Sequence, residues 1–265
     1  MLRDITLGQY YPGKSWIHRL DPRIKIIATL LFIIELFIVD NFIGFIIAGA
    51  VLAVIIAVSK VPVGYIMGLK PIILILVFTF ALNMFMVDGT VLWQWKFLKI
   101  TVEGLQVAVF MAIRLVLLLM GSSLLTLCTR PLALTDGIER LLSPFSKIGL
   151  PAHDIAMMMT IALRFIPTLL EEADKIMKAQ QARGADFESG NVIQRAKSLI
   201  PILVPLFVSA FRIAQDLAMA MEARCYRGGE NRTRMHEMKF QRRDYAAVAL
   251  MIAFGAVIVV ESRIF

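Results

Sequence analysis

FIGFIIAGAVLAVIIAVS, residues 42–59, runs for eighteen residues without one charged side chain. A bilayer demands runs of this kind, because about 20 apolar residues at 1.5 Å each cross roughly 30 Å of hydrocarbon. Working outward, three further early runs have the same character, about Ile24–Val39, Ile72–Val87 and Gly104–Leu127, and a fifth lies at about Tyr245–Val260. Hydrophobic residues make up 58% of the 265, and only 18% are charged. A soluble domain of this size does not hide so much apolar surface. The fold class is therefore all-α: a polytopic integral membrane protein with about five transmembrane helices and a cytoplasmic helical domain inserted before the last span.

Orientation follows from the connecting segments, since Lys and Arg favour the cytoplasmic side. Asp40-Asn41 is the whole link between the first two runs and predicts a tight hairpin. Arg19, Arg23 and Lys25 flank the first run, Lys60 and Lys70 lie between the second and third, and Arg130 follows the fourth. The opposite side carries Asp40, Asp88 and the interfacial stretch Trp93-Gln94-Trp95, with Lys96 and Lys99 as exceptions. Arg3, Asp4, Lys14 and Arg19 near the start, without an apolar core, do not make a secretory signal. The expected organisation is a cytoplasmic segment 1–23, a four-helix membrane bundle 24–129, a cytoplasmic domain 130–244 and a last span 245–265, in a bacterial cell membrane. Topology accounts for the net charge of +8 better than nucleic-acid binding does. Arg232–Arg243, with Arg234, Lys239 and Arg242, reads as a positive anchor ahead of the last span.

The insert reads as three helical pieces. Ala133–Ile148 stops at Gly149-Leu150-Pro151. Asp154–Arg183 has Asp154 as its N-cap and Gly184 as its stop, and Val192–Arg227 ends at Gly228-Gly229. Pro167, Pro201 and Pro205 are expected to bend or interrupt these helices. Glu171/Lys175, Asp174/Lys178 and Arg212/Asp216 have the i,i+4 spacing of supporting pairs. A rival topology turns the apolar stretches around Met157–Leu163 and Ile200–Phe207 into spans. Against it, the second stretch holds only about 12 residues with two prolines. That topology also sends Lys175, Lys178, Arg183, Arg195 and Lys197 to the outside.

Chemistry-bearing motifs are few. Gly8-Gln9-Tyr10-Tyr11-Pro12-Gly13-Lys14-Ser15 matches a phosphate-loop pattern, but that loop needs a buried strand before it and a helix after it. Only Met1–Leu7 precede it, and Pro22 follows closely, so a turn-rich entry segment is the better reading. Cys128 and Cys225 are too few for a disulfide framework or a zinc site. His18, His153 and His236 all fall outside the spans. Neither catalytic residues nor metal ligands nor a cofactor site is expected. Arg114, inside the fourth run, is expected to pair with Glu35 near the outer end of the first.

One internal repeat carries more weight. When Ala182-Arg183 is laid on Ala223-Arg224, Ala173 falls on Ala214, Ala179 on Ala220 and Leu170 on Phe211. Two helices thus end in a small residue, an arginine and a break. The plain explanation is a cation complementing each helix dipole. The sharper one is a guanidinium presented at a tip to pair with carboxylates through its planar fork.

Ala182-Arg183-Gly184 and Ala223-Arg224-Cys225 resemble the two X-Arg-X motifs of the transmembrane T component (EcfT) of energy-coupling factor (ECF) transporters, a family that includes CbiQ-like cobalt-transport permeases. His18-Arg19-Leu20-Asp21-Pro22-Arg23-Ile24-Lys25 is similar to the family's segment ahead of its first span. Arg164-Phe165-Ile166-Pro167 and Glu171-Glu172-Ala173 resemble its approach to the first motif. Cys225 stands where glycine is frequent in the family. The resemblance implies a non-catalytic scaffold in an ATP-driven importer of vitamins or metal ions. Its partners are two cytoplasmic ABC-type ATPases, which bind the ATP, and a membrane-embedded S component that binds substrate. Arg183 would engage one ATPase and Arg224 the other. Met157, Met158, Leu163, Ile166, Leu203 and Phe207 form the candidate S-component surface, for which repackable thioethers are suited. A self-contained secondary transporter or channel is the alternative, yet the runs show no inverted repeat and no paired acids at mid-membrane.

Overall fold

A computed structural model describes residues 10–62, 64, 70–95, 98–149, 151–187, 191, 193, 197–228 and 240–264. The apolar runs become α1 (Pro22–Ile38), α2 (Phe42–Ser59), α3 (Lys70–Met86), α4 (Val102–Cys128) and α8 (Arg242–Ile264). Between α4 and α8 lie α5 (Pro131–Leu142), a 3₁₀ turn (Ser143–Ile148), α6 (Ala152–Ala182) and α7 (Ile200–Ala223). The described residues divide into two units, one within 8–137 and 237–265 and the other within 138–236.

In the first unit α1 packs on α4 and α8, while α2 and α3 each pack on α4. Asp21 starts α1: its carboxylate accepts from Arg23 N–H at 2.9 Å, with Pro22 in the first turn, where a missing N–H costs nothing. The core gathers Leu36, Val39, Phe45, Leu52, Leu124, Leu127 and Ile258. Small residues let the backbones close up, as membrane helices require. At Gly121 a Cβ would stand 2.7 Å from the Phe32 ring. Outward faces stay apolar, with Leu74 75%, Ile46 67% and Phe78 63% exposed, which suits hydrocarbon rather than water.

A two-stranded ribbon interrupts the all-helical plan. β1 (Val91–Trp95) pairs antiparallel with β2 (Leu98–Thr101), where the sequence suggested only an interfacial aromatic stretch. Thr101 ends the ribbon and caps α4, accepting from Gly104 N–H at 3.0 Å and donating to the Val87 carbonyl at 2.7 Å.

In the second unit α6 packs on α7. Asp154 is not the N-cap of α6. Pro151 holds that position without a side-chain cap, and Asp154 sits in the first turn, where its charge still favours the helix N-terminus. α6 and α7 run through Pro167 and Pro205 uninterrupted. α7 starts at Ile200 and stops at Ala223, before the expected glycines, because the chain turns left-handed at Cys225 (φ 56°). On α6, Glu172 pairs with Lys175 at 3.5 Å, while Arg212 and Asp216 on α7 form no ion pair among the described residues. Arg3, Asp4, Gly8, Gln9, Lys96, Leu150, Val192, Arg195, Gly229, Arg232, Arg234, His236 and Lys239 lie outside the described residues.

Among the described residues, five helices are long and apolar enough to cross a membrane: α2, α4, α6, α7 and Arg242–Glu261 of α8. This set differs from the expected spans, since α1 and α3 have 17 residues each, about 26 Å of helix. α6 qualifies through its first half. Glu171, Glu172, Asp174, Lys175 and Lys178 crowd its second half, where hydrocarbon is costly for them.

Candidate functional site

The two helix ends singled out in the sequence are the same structure. At the end of α6, Gly184 N–H donates to the Gln181 carbonyl (2.9 Å) and Ala185 N–H to the Gln180 carbonyl (3.0 Å). At the end of α7, Cys225 N–H donates to the Glu222 carbonyl (2.8 Å) and Tyr226 N–H to the Met221 carbonyl (3.0 Å). This is the Schellman closure, which satisfies carbonyls that a helix end leaves orphaned. Its left-handed position is Gly184 (φ 90°) in one helix and Cys225 (φ 56°) in the other. Arg183 and Arg224 are therefore both C-caps, with φ of −89° and −91°. Both are exposed, and neither has an ion-pair partner among the described residues.

A side chain pays for left-handed backbone and glycine does not. Gly184→Ala should therefore destabilise the chain by about 1 kcal/mol, whereas Cys225→Gly should not lower its stability. Thermal midpoints in detergent decide this, and the reverse order would refute the cap assignment.

The tips face apart. Tyr226, two residues beyond Arg224, donates its hydroxyl to Met157 Sδ at 3.0 Å, so the end of α7 lies against the start of α6. Arg183 follows Met157 by 26 residues, about 39 Å along a helix. One small groove cannot take both arginines. His153 Nδ1 meets Glu139 Oε1 at 3.1 Å and ties the start of α6 to α5. Of the six apolar candidates, Met158, Leu203 and Phe207 are 59%, 47% and 62% exposed, while Met157, Leu163 and Ile166 are half-buried. Sequence reading missed Tyr226, because its role depends on a partner 69 residues away.

Arg114 does not pair with Glu35. Its Nη2 donates to the Val39 carbonyl at 2.6 Å and to Asp40 Oδ1 at 3.2 Å, with the guanidinium over Phe45. The C-terminal end of α1 offers an unpaired carbonyl and favours a cation, and the long side chain reaches it one turn beyond Glu35. Glu35 instead lies against Gly255 on α8, where a Cβ would stand 2.7 Å from its Oε1.

The phosphate-loop lookalike has a structural use. Ser15 Oγ lies 2.7 Å from His18 Nδ1, and His18 Nε2–H donates to the Tyr11 carbonyl at 3.0 Å. The ring fills the space over Gly13, where a Cβ would be 2.6 Å away. Burial, aided by the Lys25 charge and opposed by the Tyr11 bond, pushes the His18 pKa down. Gly13 and Ser15 thus serve a turn, and Lys14 is exposed. Lys14→Ala should leave nucleotide binding by the purified chain at the background level of wild type, and saturable binding that Lys14→Ala abolishes would revive phosphate binding.

A family model described as "Cobalt transport protein" (CbiQ) matches residues 13–235. Among similar proteins, the energy-coupling factor transporter transmembrane protein EcfT of Clostridium kluyveri is 61% identical over 250 residues, covering 93% of each chain. The protein of that name from Thermosediminibacter oceani is 57% identical over 259 residues, covering 97% of this chain and 98% of its own. The Bacillus subtilis protein is 45% identical over 260 residues, with 97% and 98% covered.

Proposed function

The chain belongs to the family of energy-coupling factor transporter transmembrane proteins, and from that premise we propose that it is the non-catalytic coupling subunit of an ECF-type importer of vitamins or metal ions. On this reading residues 130–244 and the N-terminus are cytoplasmic, and α6 and α7 are coupling helices. Arg183, framed by Ala182 and Gly184, docks in one ATPase, and Arg224, between Ala223 and Cys225, docks in a second. The exposed apolar surface around Met158, Leu203 and Phe207 meets the S component that binds substrate. Closure of the ATPases on ATP pulls the two tips, and the packed α6–α7 pair carries that motion to the S component. This chain binds neither ATP nor substrate.

The observation that carries the reading is the duplicated arginine cap, two identical helix ends aimed away from each other. Small flanking residues let each guanidinium enter a groove, where bidentate pairing with a carboxylate is strongest. A duplicated tip suits a duplicated partner.

The two cysteines supply the test. Cys225 is exposed and Cys128 is buried, so a membrane-impermeant maleimide reads the position of Cys225 alone. Labelling is expected only after the cells are permeabilised, and affinity purification should bring two ABC-type ATPase polypeptides and a small membrane protein. Labelling of intact cells would overturn the cytoplasmic placement and the docking with it.

A further inference from the structure

α1, α2, α4 and α8 enclose a cavity of about 690 Å³, walled almost wholly by carbon, with Phe32, Ile47, Leu124 and Phe254 among its lining. Its α1 wall runs from Ile24 to Glu35, about 16 Å along the helix axis and half the hydrocarbon thickness. Val54 and Leu250 on its rim are 62% and 64% exposed, so the cavity is a groove open to the bilayer rather than a closed void. Two ionisable side chains reach into it. Lys25, near the N-terminal end of α1, is satisfied: its Nζ donates to the carbonyls of His18 (3.1 Å) and Cys128 (2.9 Å). Glu35, at the other end, is not. It is 8% exposed, lines the groove and has no side-chain hydrogen bond among the described residues.

We propose that this groove holds one chain of a bilayer lipid whose head group presents a hydrogen-bond donor, an amine or a hydroxyl, to Glu35. A carboxyl left unpaired in hydrocarbon is costly, and a donor arriving with the ligand removes that cost. Glu35 sits one turn from the C-terminal end of α1, the outer end on the topology proposed above, so a head group at the outer interface reaches it while its chain follows α1 inward. The groove opens to the bilayer along its Val54 and Leu250 rim, so the neighbour that meets it there is lipid, and an acyl chain is slender enough to lie along the α1 wall.

The test uses the full chain in bilayers containing equal parts of phosphatidylethanolamine, phosphatidylglycerol and phosphatidylcholine, released gently and weighed by native mass spectrometry. Wild type is expected to retain one lipid, with amine- or hydroxyl-headed species favoured over choline about tenfold, the factor one hydrogen bond to a carboxyl carries. Whichever donor head dominates identifies the source. Glu35→Leu should abolish the preference but keep a chain, and Ala50→Phe, which places bulk in the groove, should expel it. Equal retention of phosphatidylcholine by wild type overturns the proposal without any variant. So does undiminished retention in Ala50→Phe, or loss of the lipid when partner subunits assemble around the chain.

Discussion

The double variant Arg183→Glu/Arg224→Glu is expected to insert normally and to retain less than about a tenth of the ATPase that copurifies with wild type. Removing one partner of a buried charge pair costs about 3–5 kcal/mol, and reversal adds repulsion against the carboxylates the arginine would meet. The tips lie at opposite ends of α6 and share no ion-pair partner among the described residues, so their costs should add. Each single variant should keep one docked ATPase and lose much of the avidity that two contacts provide. Arg183→Lys separates the two explanations of the motif. A helix-dipole role tolerates any cation, whereas bidentate docking does not survive loss of the planar fork. ATPase stoichiometry in the purified complex decides the matter, and a double variant that copurifies as wild type does would defeat the docking assignment.

The membrane runs were legible because a bilayer imposes one length and one chemistry. The helices found at Phe42–Ser59 and Val102–Cys128 match the expected runs within two residues. The repeated arginine end was legible for a related reason: a Schellman cap is local, so its pattern survives in the residue order. Three things were not. The ribbon at Val91–Thr101 is short, and its Trp residues equally suit an interface. The stop of α7 was misjudged because a cysteine holds a left-handed position that glycine usually takes. The partner of Arg114 was misassigned because a flexible side chain chooses among acceptors a turn apart, and the winning acceptor is a backbone carbonyl. Contacts such as Tyr226–Met157 depend on how the helices cross, which periodicity does not encode.

The family-like segment around Asp21 has a structural purpose that the sequence did not reveal, and it carries the second large effect. Asp244 is 2% exposed, and its two oxygens serve two helices. Oδ2 accepts from the N–H of Gln241, just ahead of α8, at 2.7 Å, and Oδ1 accepts from the N–H of Asp21, the cap of α1, at 3.0 Å. Arg23 closes the cluster, pairing with Asp21 at 2.8 Å and lying 4.2 Å over the Phe240 ring. Asp244→Ala leaves the buried N–H of Asp21 unpaired and gives the N–H of Gln241, an exposed residue, over to water. At about 1.5–3 kcal/mol for the buried hydrogen bond to a charged group and about 0.5–1 kcal/mol for the part-exposed one, the loss should be about 2–4 kcal/mol. Asp244→Asn keeps one acceptor oxygen and should lose about half as much.

The same cluster predicts an acid limb. Burial tends to raise the Asp21 pKa, but the Arg23 hydrogen bonds and the charges of Arg23 and Lys25 outweigh it and hold the carboxyl below its ordinary value. A folded-state pKa below the unfolded one stabilises above the unfolded value, near pH 4, and that contribution vanishes as pH falls through the folded value. Thermal midpoints in detergent should therefore drop in wild type as pH falls below about 4, while Asp21→Asn starts lower at neutral pH and falls less. ATPase copurification per folded molecule should stay at the wild-type level in both Asp244 variants, because they alter the α1–α8 clamp and leave Arg183 and Arg224 intact. An Asp244→Ala chain within about 0.5 kcal/mol of wild type would mean that water replaces both lost acceptors, and the clamp would then have no energetic role.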